Sequence, residues 1–269
     1  MERINIESLI TSGTINITDN CSVIINKSTC KNLNKIIVED RVNCDILFAE
    51  IVDSGTFEII AKDNSQLTVK GLINGSDINL AFKAKTAQNA TISMHFIDFS
   101  CGKTNIDAVC DMDEQGSFFS WQMASLAAHK DDKKIRVNVE HNVPYLNGDV
   151  SNYGVCKDNA KLEIAGTTHI ANGASKTLTK QNARIMLIDG SSRGIAKPIL
   201  KIDENDVKAS HGATLGQINE EHLFYLKSRG LSEAEAKRLI VLGYFNPVVL
   251  LFKDEECEQY IMNLVEERI

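Results

Sequence analysis

The sequence predicts a mainly β protein that ends in an α-helical segment. Residues 1–205 are short runs rich in Val, Ile, Thr and Phe, such as "CSVIIN", "KIIVED" and "QLTVKG", in which apolar and polar residues often alternate. This stretch contains no convincing amphipathic helix. Near residue 217 the composition changes to Glu-, Lys- and Leu-rich runs with helix-capping residues.

The β runs fit three architectures: a sandwich, a barrel or a β-helix. They recur about every 8–15 residues with Asn-rich breakers between them, and the chain has only 3 prolines. Stacked coils of a parallel β-helix produce this appearance, but the irregular spacing leaves all three open. The segment "GSFFSWQMASLAAHKDDKKIRVNV" is predicted as two strands joined at Asp131–Lys133 rather than as a helix.

The first predicted helix covers Glu220–Arg229. Asn219 precedes it as a cap, acidic residues occupy its first turn and basic residues its last, which suits the helix dipole. Gly230 follows in the position that favours a left-handed residue.

Two further helices are predicted after Gly230. Residues Ser232 to Glu235 form a capping box that opens the second helix, and Gly243 is expected to end it. Asn246 is then a cap and Pro247 the first residue of a third helix.

Bulk properties exclude several classes of protein. A net charge of −7 and a pI near 5.4 argue against nucleic acid or an anionic membrane as the main partner. The start lacks the apolar core of a signal peptide, and no apolar run is long enough to cross a membrane. The 7 cysteines form no CxxC pair, so we expect reduced thiols in the cytoplasm.

Motifs for common chemistries are absent from the sequence. It contains no GxxxxGK[ST], GxGxxG, HExxH or GxSxG pattern, so we expect this chain to bind no nucleotide itself. Asp111 and Asp113 could belong to a carbohydrate-active β-helix enzyme, but a D-x-D pair in a loop is more often a turn.

One histidine stands apart from the others. His211 lies in "ASHGATLGQ", between the last predicted strand and the first helix, in a turn of small residues that permits close approach of another backbone or ligand. The remaining histidines are expected to be packed or on the surface: His95, His129, His141, His169 and His222.

The residues around His211 resemble a known family. "SHGATLG", "LFYLKSRGL" and "EAKRLIVLGYF" are similar to the C-terminal signature of the SufB/SufD family, subunits of the SUF iron–sulfur cluster assembly machinery. Upstream, "VEHNVPYLNGDVSNYGV" and "GTTHIANGASKTLTKQNARIMLIDGSS" resemble the family core more weakly. The resemblance is strong over residues 135–250 and faint over residues 1–130.

The resemblance implies both a fold and a set of partners. It implies a right-handed parallel β-helix core over residues 1–210 and a helical C-terminal domain over residues 211–269. Family members pair through their β-helices, and each C-terminal domain docks a SufC ATPase. Sulfur arrives from a cysteine desulfurase, and an iron–sulfur cluster forms transiently at the interface. The chain is therefore expected to be a scaffold, not an enzyme.

Two positions place the chain closer to SufD than to SufB. It has Gly212 where SufB-type chains have glutamate, and Asn182 where they carry the sulfur-accepting cysteine. The resemblance implies that His211 faces the partner's cysteine and can ligate cluster iron. The alternative is a homodimeric minimal scaffold that binds SufC without a SufB, in which another thiol such as Cys156 replaces the missing one.

The last helices have two possible roles. They could cap the open end of the β-helix, whose edge would otherwise be unpaired. The resemblance also implies that "GYFNPVVLLF" offers a surface to SufC, formed by Tyr244, Phe245, Val248 and Phe252.

Overall fold

The described chain is a parallel β-helix with α-helices at its C-terminal end. The computed structural model describes residues 3–4, 10–253 and 255–269. Successive strands alternate between two sheets, so each pair of strands forms one coil stacked on the previous one. This confirms the predicted fold class. Residues 1–2 and 5–9 of the predicted β-helix domain lie outside the described residues.

The first sheet has nine strands within the described residues, all paired in parallel. In spatial order they are β1 (Arg3–Ile4), β4 (Cys21–Ile25), β6 (Asn43–Phe48), β8 (Gln66–Ile73), β10 (Thr91–Asp98), β12 (Phe118–Ala127), β14 (Asn147–Cys156), β16 (Leu178–Leu187) and β18 (Lys208–Gln217).

The second sheet also has nine described strands and is parallel except for the antiparallel pair formed by Ile10–Thr11 and Thr14–Ile17. In spatial order they are β17 (Arg193–Ile202), β15 (Lys161–Ile170), β13 (Asp132–His141), β11 (Lys103–Met112), β9 (Asn79–Thr86), β7 (Ser54–Ala61), β5 (Lys35–Val38), β3 (Thr14–Ile17) and β2 (Ile10–Thr11). The predicted pair of strands around Asp131 is confirmed as β12 and β13.

Alternate residues of each strand fill the space between the sheets. Because in-register parallel strands place like positions above one another, the interior side chains stack from coil to coil. Phe82 lies at the centre of an aromatic stack, with ring centroids 4.9 Å from Phe96 and 5.9 Å from Trp121. All three rings are fully buried, and burying each contributes roughly 1.5–3 kcal/mol.

The coils lengthen along the chain. Cys21 and Cys44, which pair in β4 and β6, are 23 residues apart, whereas the Asp158 backbone N–H binds Asp189 across a coil of 31 residues. Strand length rises in parallel, from 4 residues in β3 to 10 in β18. The β-helix is therefore wider in its C-terminal half than at its start.

Asn and Asp residues build the coil corners, as the Asn-rich breakers suggested. Asn64 and Asn89 have φ values of 57° and 53°, a left-handed conformation that asparagine tolerates better than most residues. The Asp131 and Asp158 carboxylates accept backbone N–H groups of Gly102 and His129, each 29 residues away. Corner side chains thus form hydrogen bonds with backbone groups that have no partner within the sheets.

Four helices complete the described chain: α1 (Lys27–Cys30), α2 (Glu220–Ser228), α3 (Glu233–Val249) and α4 (Glu255–Arg268). α3 and α4 pack on the outer face of the first sheet and form a second apolar cluster with it. None of the described helices is long and apolar enough to span a membrane.

The predicted caps of α2 and α3 are confirmed. The Asn219 side chain accepts the His222 backbone N–H, and Ser232 with Glu235 forms a complete capping box. Gly230 has a φ of 96°, the left-handed conformation expected after a helix end.

The predicted break near Gly243 is wrong. α3 continues through Gly243 and Asn246 to Val249, with Pro247 inside its last turn. A proline there removes only one helical hydrogen bond, and burial of the apolar face keeps the helix intact. The third long helix is instead α4, which was not predicted.

The predicted turn at residues 209–217 is also wrong. This segment belongs to β18, which pairs in register with β16 over its whole length. The predicted domain boundary at residues 210/211 therefore falls within a strand. Ser210, Gly212 and Ala213 are the small residues of an edge strand rather than of a loop.

A buried ion pair lies inside one corner of the β-helix. Lys133 Nζ donates to Asp98 Oδ2 at 2.8 Å, and both side chains are completely buried. The Asp98 carboxylate also accepts the hydroxyls of Ser100 and Ser125. Burial lowers the pKa of the Lys133 ammonium, and the nearby Asp98 opposes that shift.

The end of α4 is anchored to the same corner. Arg268 pairs with Asp131 at 2.6 Å and also donates to the backbone carbonyls of Phe99 and Ser100. Lys157 Nζ in turn donates to the Arg268 carbonyl at 3.0 Å.

Candidate functional site

The candidate site is the open C-terminal end of the β-helix. β17 and β18 are the last strands of their sheets, and no other strand in the described part of the chain pairs with their outer edges. Both strands are largely exposed. Such an edge presents backbone N–H and C=O groups that can pair with another chain.

His211 lies in the middle of this open edge. It pairs in register with Gln181 of β16, whose side chain is buried between the sheets. Since paired residues of parallel strands face the same side, the His211 imidazole points toward the β-helix interior at its open end. It is exposed because no coil follows it.

The interior beneath His211 is polar, unlike the aromatic stack of the earlier coils. Thr168 Oγ1 donates to the side-chain amide oxygen of Gln181, Oε1, at 3.4 Å. Gly166 leaves room for the Gln181 amide, since a Cβ there would lie 2.0 Å from the Val137 carbonyl oxygen and 3.0 Å from Gln181 Nε2. Any larger residue at 166 would therefore disturb the layer beneath His211.

Leu215 partly closes the same end. A Cβ on Gly194 of β17 would lie 2.5 Å from Leu215 Cδ1, so the leucine reaches across to the opposite sheet. Leu215 nevertheless remains 49% exposed. The open end thus combines one imidazole with an incompletely covered apolar side chain.

Asn182, where the resemblance places the cysteine of SufB-type chains, does not join His211. Its side chain lies on the outer face of the first sheet, where it contacts Ser151 Oγ at 3.4 Å. Cys156 is fully buried, and burial raises the pKa of its thiol to about 11. All seven cysteines are free thiols.

The site offers a single imidazole. The described residues contain no group of three or more His, Cys, Asp or Glu side chains that could hold a metal ion. An imidazole can ligate iron or transfer a proton near neutral pH. Iron bound at this edge would need further ligands from outside the described chain.

The other histidines have the structural roles that were expected. Burial lowers the pKa of His95 and of His141 to about 4, so both imidazoles are neutral at pH 7. His129 and His222 are exposed. The Asp113 carboxylate accepts the Asn142 amide across a coil at 2.7 Å, a corner contact rather than a catalytic pair.

A second titratable cluster was not predicted. His169 Nδ1 lies 2.6 Å from Glu140, and its Nε2 lies 2.9 Å from Asp203. Hydrogen bonds to Asp203 and then Glu140 raise the pKa of His169. These three residues lie about one coil apart in the sequence, and this spacing is what could have indicated that they meet. It becomes informative only once the coil length is known.

This cluster predicts a pH-dependent stability. A raised folded-state pKa means that His169 stabilises the fold below its unfolded-state pKa, and that this contribution disappears as the pH rises through the folded-state value. We expect the stability advantage of the native chain over His169→Asn to be about 0.5–1 kcal/mol near pH 6 and to vanish in mild alkali. Urea denaturation across this range measures it; an unchanged difference, or an undiminished pH dependence in Asp203→Asn, would contradict the assignment.

The predicted partner surface on the last helices is largely buried. Phe245, Val248 and Phe252 pack against the outer face of the first sheet and are almost inaccessible, so their side chains do not form an exposed surface for SufC. Phe245 meets Phe99 edge-on at 6.4 Å. Tyr244 is half-buried beside Tyr153, and burial raises its pKa to about 12.

The exposed apolar residues of this region lie elsewhere. Phe224 is 76% exposed on α2, with Tyr225 beside it, and Leu239 is exposed on α3. A sequence alone does not show which face of a helix meets the sheet, so these exposed residues could not be distinguished from buried ones.

Comparison with known proteins identifies the family. The family model "SUF system FeS cluster assembly, SufBD core domain" matches residues 15–244. The chain belongs to the SufBD family.

Among individual relatives, similarity is greater to SufD than to SufB. The chain is 37% identical over 122 residues to SufD of Bacillus subtilis, a match covering 45% of this chain and 28% of that protein. It is 29% identical over 134 residues to SufD of Escherichia coli, covering 50% and 32%. For SufB of Bacillus subtilis the identity is 25% over 198 residues, covering 72% and 42%. The chain thus spans about a third of the SufD relatives.

Proposed function

We propose that this SufBD-family chain is a SufD-like scaffold subunit of a cytoplasmic SUF iron–sulfur cluster assembly complex. In this proposal it pairs with a SufB-like subunit and binds a SufC-like ATPase, while catalysing no turnover and binding no nucleotide itself. The observation that carries the proposal is the exposed imidazole of His211 on the terminal strand β18, whose outer edge pairs with no other described strand.

Pairing is supported by the side chains of β18. The strand contains no proline, its one charged residue is Lys208, and Ala209, Ser210, Gly212 and Ala213 are small enough to let another backbone approach. Strand addition at such an edge provides main-chain hydrogen bonds. β17 differs, since Pro198 lacks an N–H and lysines flank it, features that limit unspecific pairing.

In this complex the cluster is cargo assembled between the subunits. His211 supplies one iron ligand or a proton, and the partner supplies the thiol that accepts sulfur originating from a cysteine desulfurase. The homodimeric alternative would need that thiol from this chain. Cys156, its candidate, is buried with a raised thiol pKa, which disfavours the reactive thiolate.

The ATPase is proposed to bind the exposed face of α2 and α3. Phe224, Tyr225 and Leu239 provide aromatic and apolar anchors there. α3 and α4 also cover the first sheet, so a force on this face would be transmitted to the β-helix through a packed interface.

His211→Ala tests the proposal. We expect the complex with the genome's SufB-like and SufC-like proteins to form normally, but its iron and sulfide content after reconstitution to fall at least about tenfold, because a ligand is lost. Size exclusion and iron and sulfide analysis measure the two effects. Thr214→Ala, on the same strand, is the matched control and should leave both unchanged.

Two outcomes would refute this function. An undiminished cluster yield in His211→Ala would remove the imidazole from the mechanism. A chain that co-purifies with the ATPase only as a homodimer, in the presence of the SufB-like protein, would favour the minimal scaffold instead.

A further inference from the structure

A continuous groove runs beside α4 on the outer face of the first sheet. Its central part encloses about 480 Å³ and is bounded by β4, β6 and β8 on one side and by α4 on the other. Adjoining cavities extend it toward the α3–α4 connection at one end and toward α1 at the other. It lies at the opposite end of the β-helix from His211.

The floor and wall of the groove are mainly apolar. Ile24 and Leu47, which pair in β4 and β6, form the floor with Leu72 of β8. Tyr260, Cys257 and the charged Glu256 of α4 form the wall. Ile24 is 42% exposed and Tyr260 44% exposed, so this surface is only partly covered.

The groove continues an existing helix-covered surface. α3 and α4 bury the later strands of the first sheet, and Leu47 is packed against the margin of their apolar cluster. A further helix beside α4, at the usual spacing of about 8–10 Å, would extend the same layer over β4 and β6. The groove therefore lies where one more helix would extend the layer that α3 and α4 form over the first sheet.

The occupant cannot be an added strand. β4 already pairs with β1 and β6, and β6 with β4 and β8, so the backbone groups of the floor are used within the sheet. A segment lying across this floor must satisfy its own backbone hydrogen bonds, as a helix does.

The charges at the two ends differ. Lys70 and Lys253 lie at the end near the α3–α4 connection, with Asp45 beside them. Glu50 lies at the other end, where Lys27 is paired with Asp53 at 3.4 Å. A helix dipole fits this arrangement if its negative C-terminus is near the lysines and its positive N-terminus is near Glu50.

We propose that this groove binds an amphipathic helix of a partner protein, oriented antiparallel to α4. Apolar residues of that helix at positions i, i+3, i+4 and i+7 contact Ile24, Leu47 and Tyr260. Its polar face remains in solvent, and its ends match Glu50 and the Lys70–Lys253 pair.

A pair of synthetic helical peptides of about 15 residues tests the proposal on the isolated chain. Both carry leucine at the four anchor positions; one has lysines in its first turn and glutamates in its last, and the other has these charges exchanged. We expect the first to bind about fivefold more tightly by fluorescence anisotropy. The exchanged peptide has the charge order that favours isolated helices, so greater helicity cannot explain this preference.

Substitutions in the groove distinguish the possible occupants. Ile24→Glu should weaken both peptides at least about tenfold, and Lys253→Glu should abolish the preference between them. Val109→Glu, an exposed apolar position on the second sheet, should change neither. Leu47→Ala provides a second, milder test of the floor, and circular dichroism checks the fold of every variant.

Three results would overturn the proposal: equal binding of the two peptides, binding that survives Ile24→Glu and Leu47→Ala, or self-association of the chain that Ile24→Glu dissolves. The last would assign the groove to a second copy. Because these assays need no SUF partner, their failure leaves the proposed function of His211 untouched.

Discussion

Replacing Phe245 with alanine should lower the free energy of unfolding by about 3–5 kcal/mol. Phe245 is fully buried between α3 and the first sheet, where its ring meets Phe99. Its removal leaves a cavity in the apolar cluster that holds α3 and α4 on the β-helix. Urea denaturation, followed by circular dichroism, measures the loss.

Phe224→Ala is the matched control for this substitution. Phe224 is 76% exposed, so its truncation should change stability by less than about 0.5 kcal/mol. It should nevertheless weaken binding of the SufC-like ATPase, with a dissociation constant at least about fivefold higher. If Phe245→Ala left stability unchanged, or Phe224→Ala left ATPase affinity unchanged, the assignment of buried and docking faces would be wrong.

The second large effect is expected at the buried ion pair. Asp98→Ala should destabilise the chain by about 3–5 kcal/mol, because it leaves the Lys133 ammonium buried without a counter-charge. Lys133→Met should cost less, since the Asp98 carboxylate keeps the hydroxyl donors of Ser100 and Ser125. Chemical denaturation of both variants gives the comparison.

The double variant separates the effect of the unpaired charge on stability from the effect of the changed side-chain shape. Asp98→Ala combined with Lys133→Met removes both charges, so it should be more stable than Asp98→Ala alone. A double variant no more stable than Asp98→Ala would show that shape, not charge, decides the cost at this corner.

Strand character could be predicted from the sequence, but the architecture could not be derived from periodicity alone. Alternation in runs such as "QLTVKG" reports local burial, which each strand retains regardless of its partners. Because the coils lengthen from 23 to 31 residues along the chain, no constant repeat length appears in the sequence. Only the resemblance of residues 135–250 to a family resolved the three alternatives.

The errors at the site have a common physical cause. Small residues around His211 indicate either a turn or an edge strand, and pairing with β16 decides between them. Likewise, Gly243 and Pro247 are local helix-breaking signals, but tertiary burial of Phe245 and Val248 outweighs them. The His169 and Lys133 clusters join residues from separate coils, so neither has a local signature.

The length of the strands at the open end determines how wide a partner β-helix must be to pair with all of their backbone groups. Each terminal strand has 10 residues, so β18 exposes about five outward N–H and five outward C=O groups, while β17 has one outward N–H fewer because Pro198 has none. A partner whose last coil is narrower would leave some of these groups unpaired, at a cost of about 1–3 kcal/mol for each one that the junction removes from water. Strand length alone can therefore discriminate between a cognate β-helix and a shorter one before any side chain at the junction is compared.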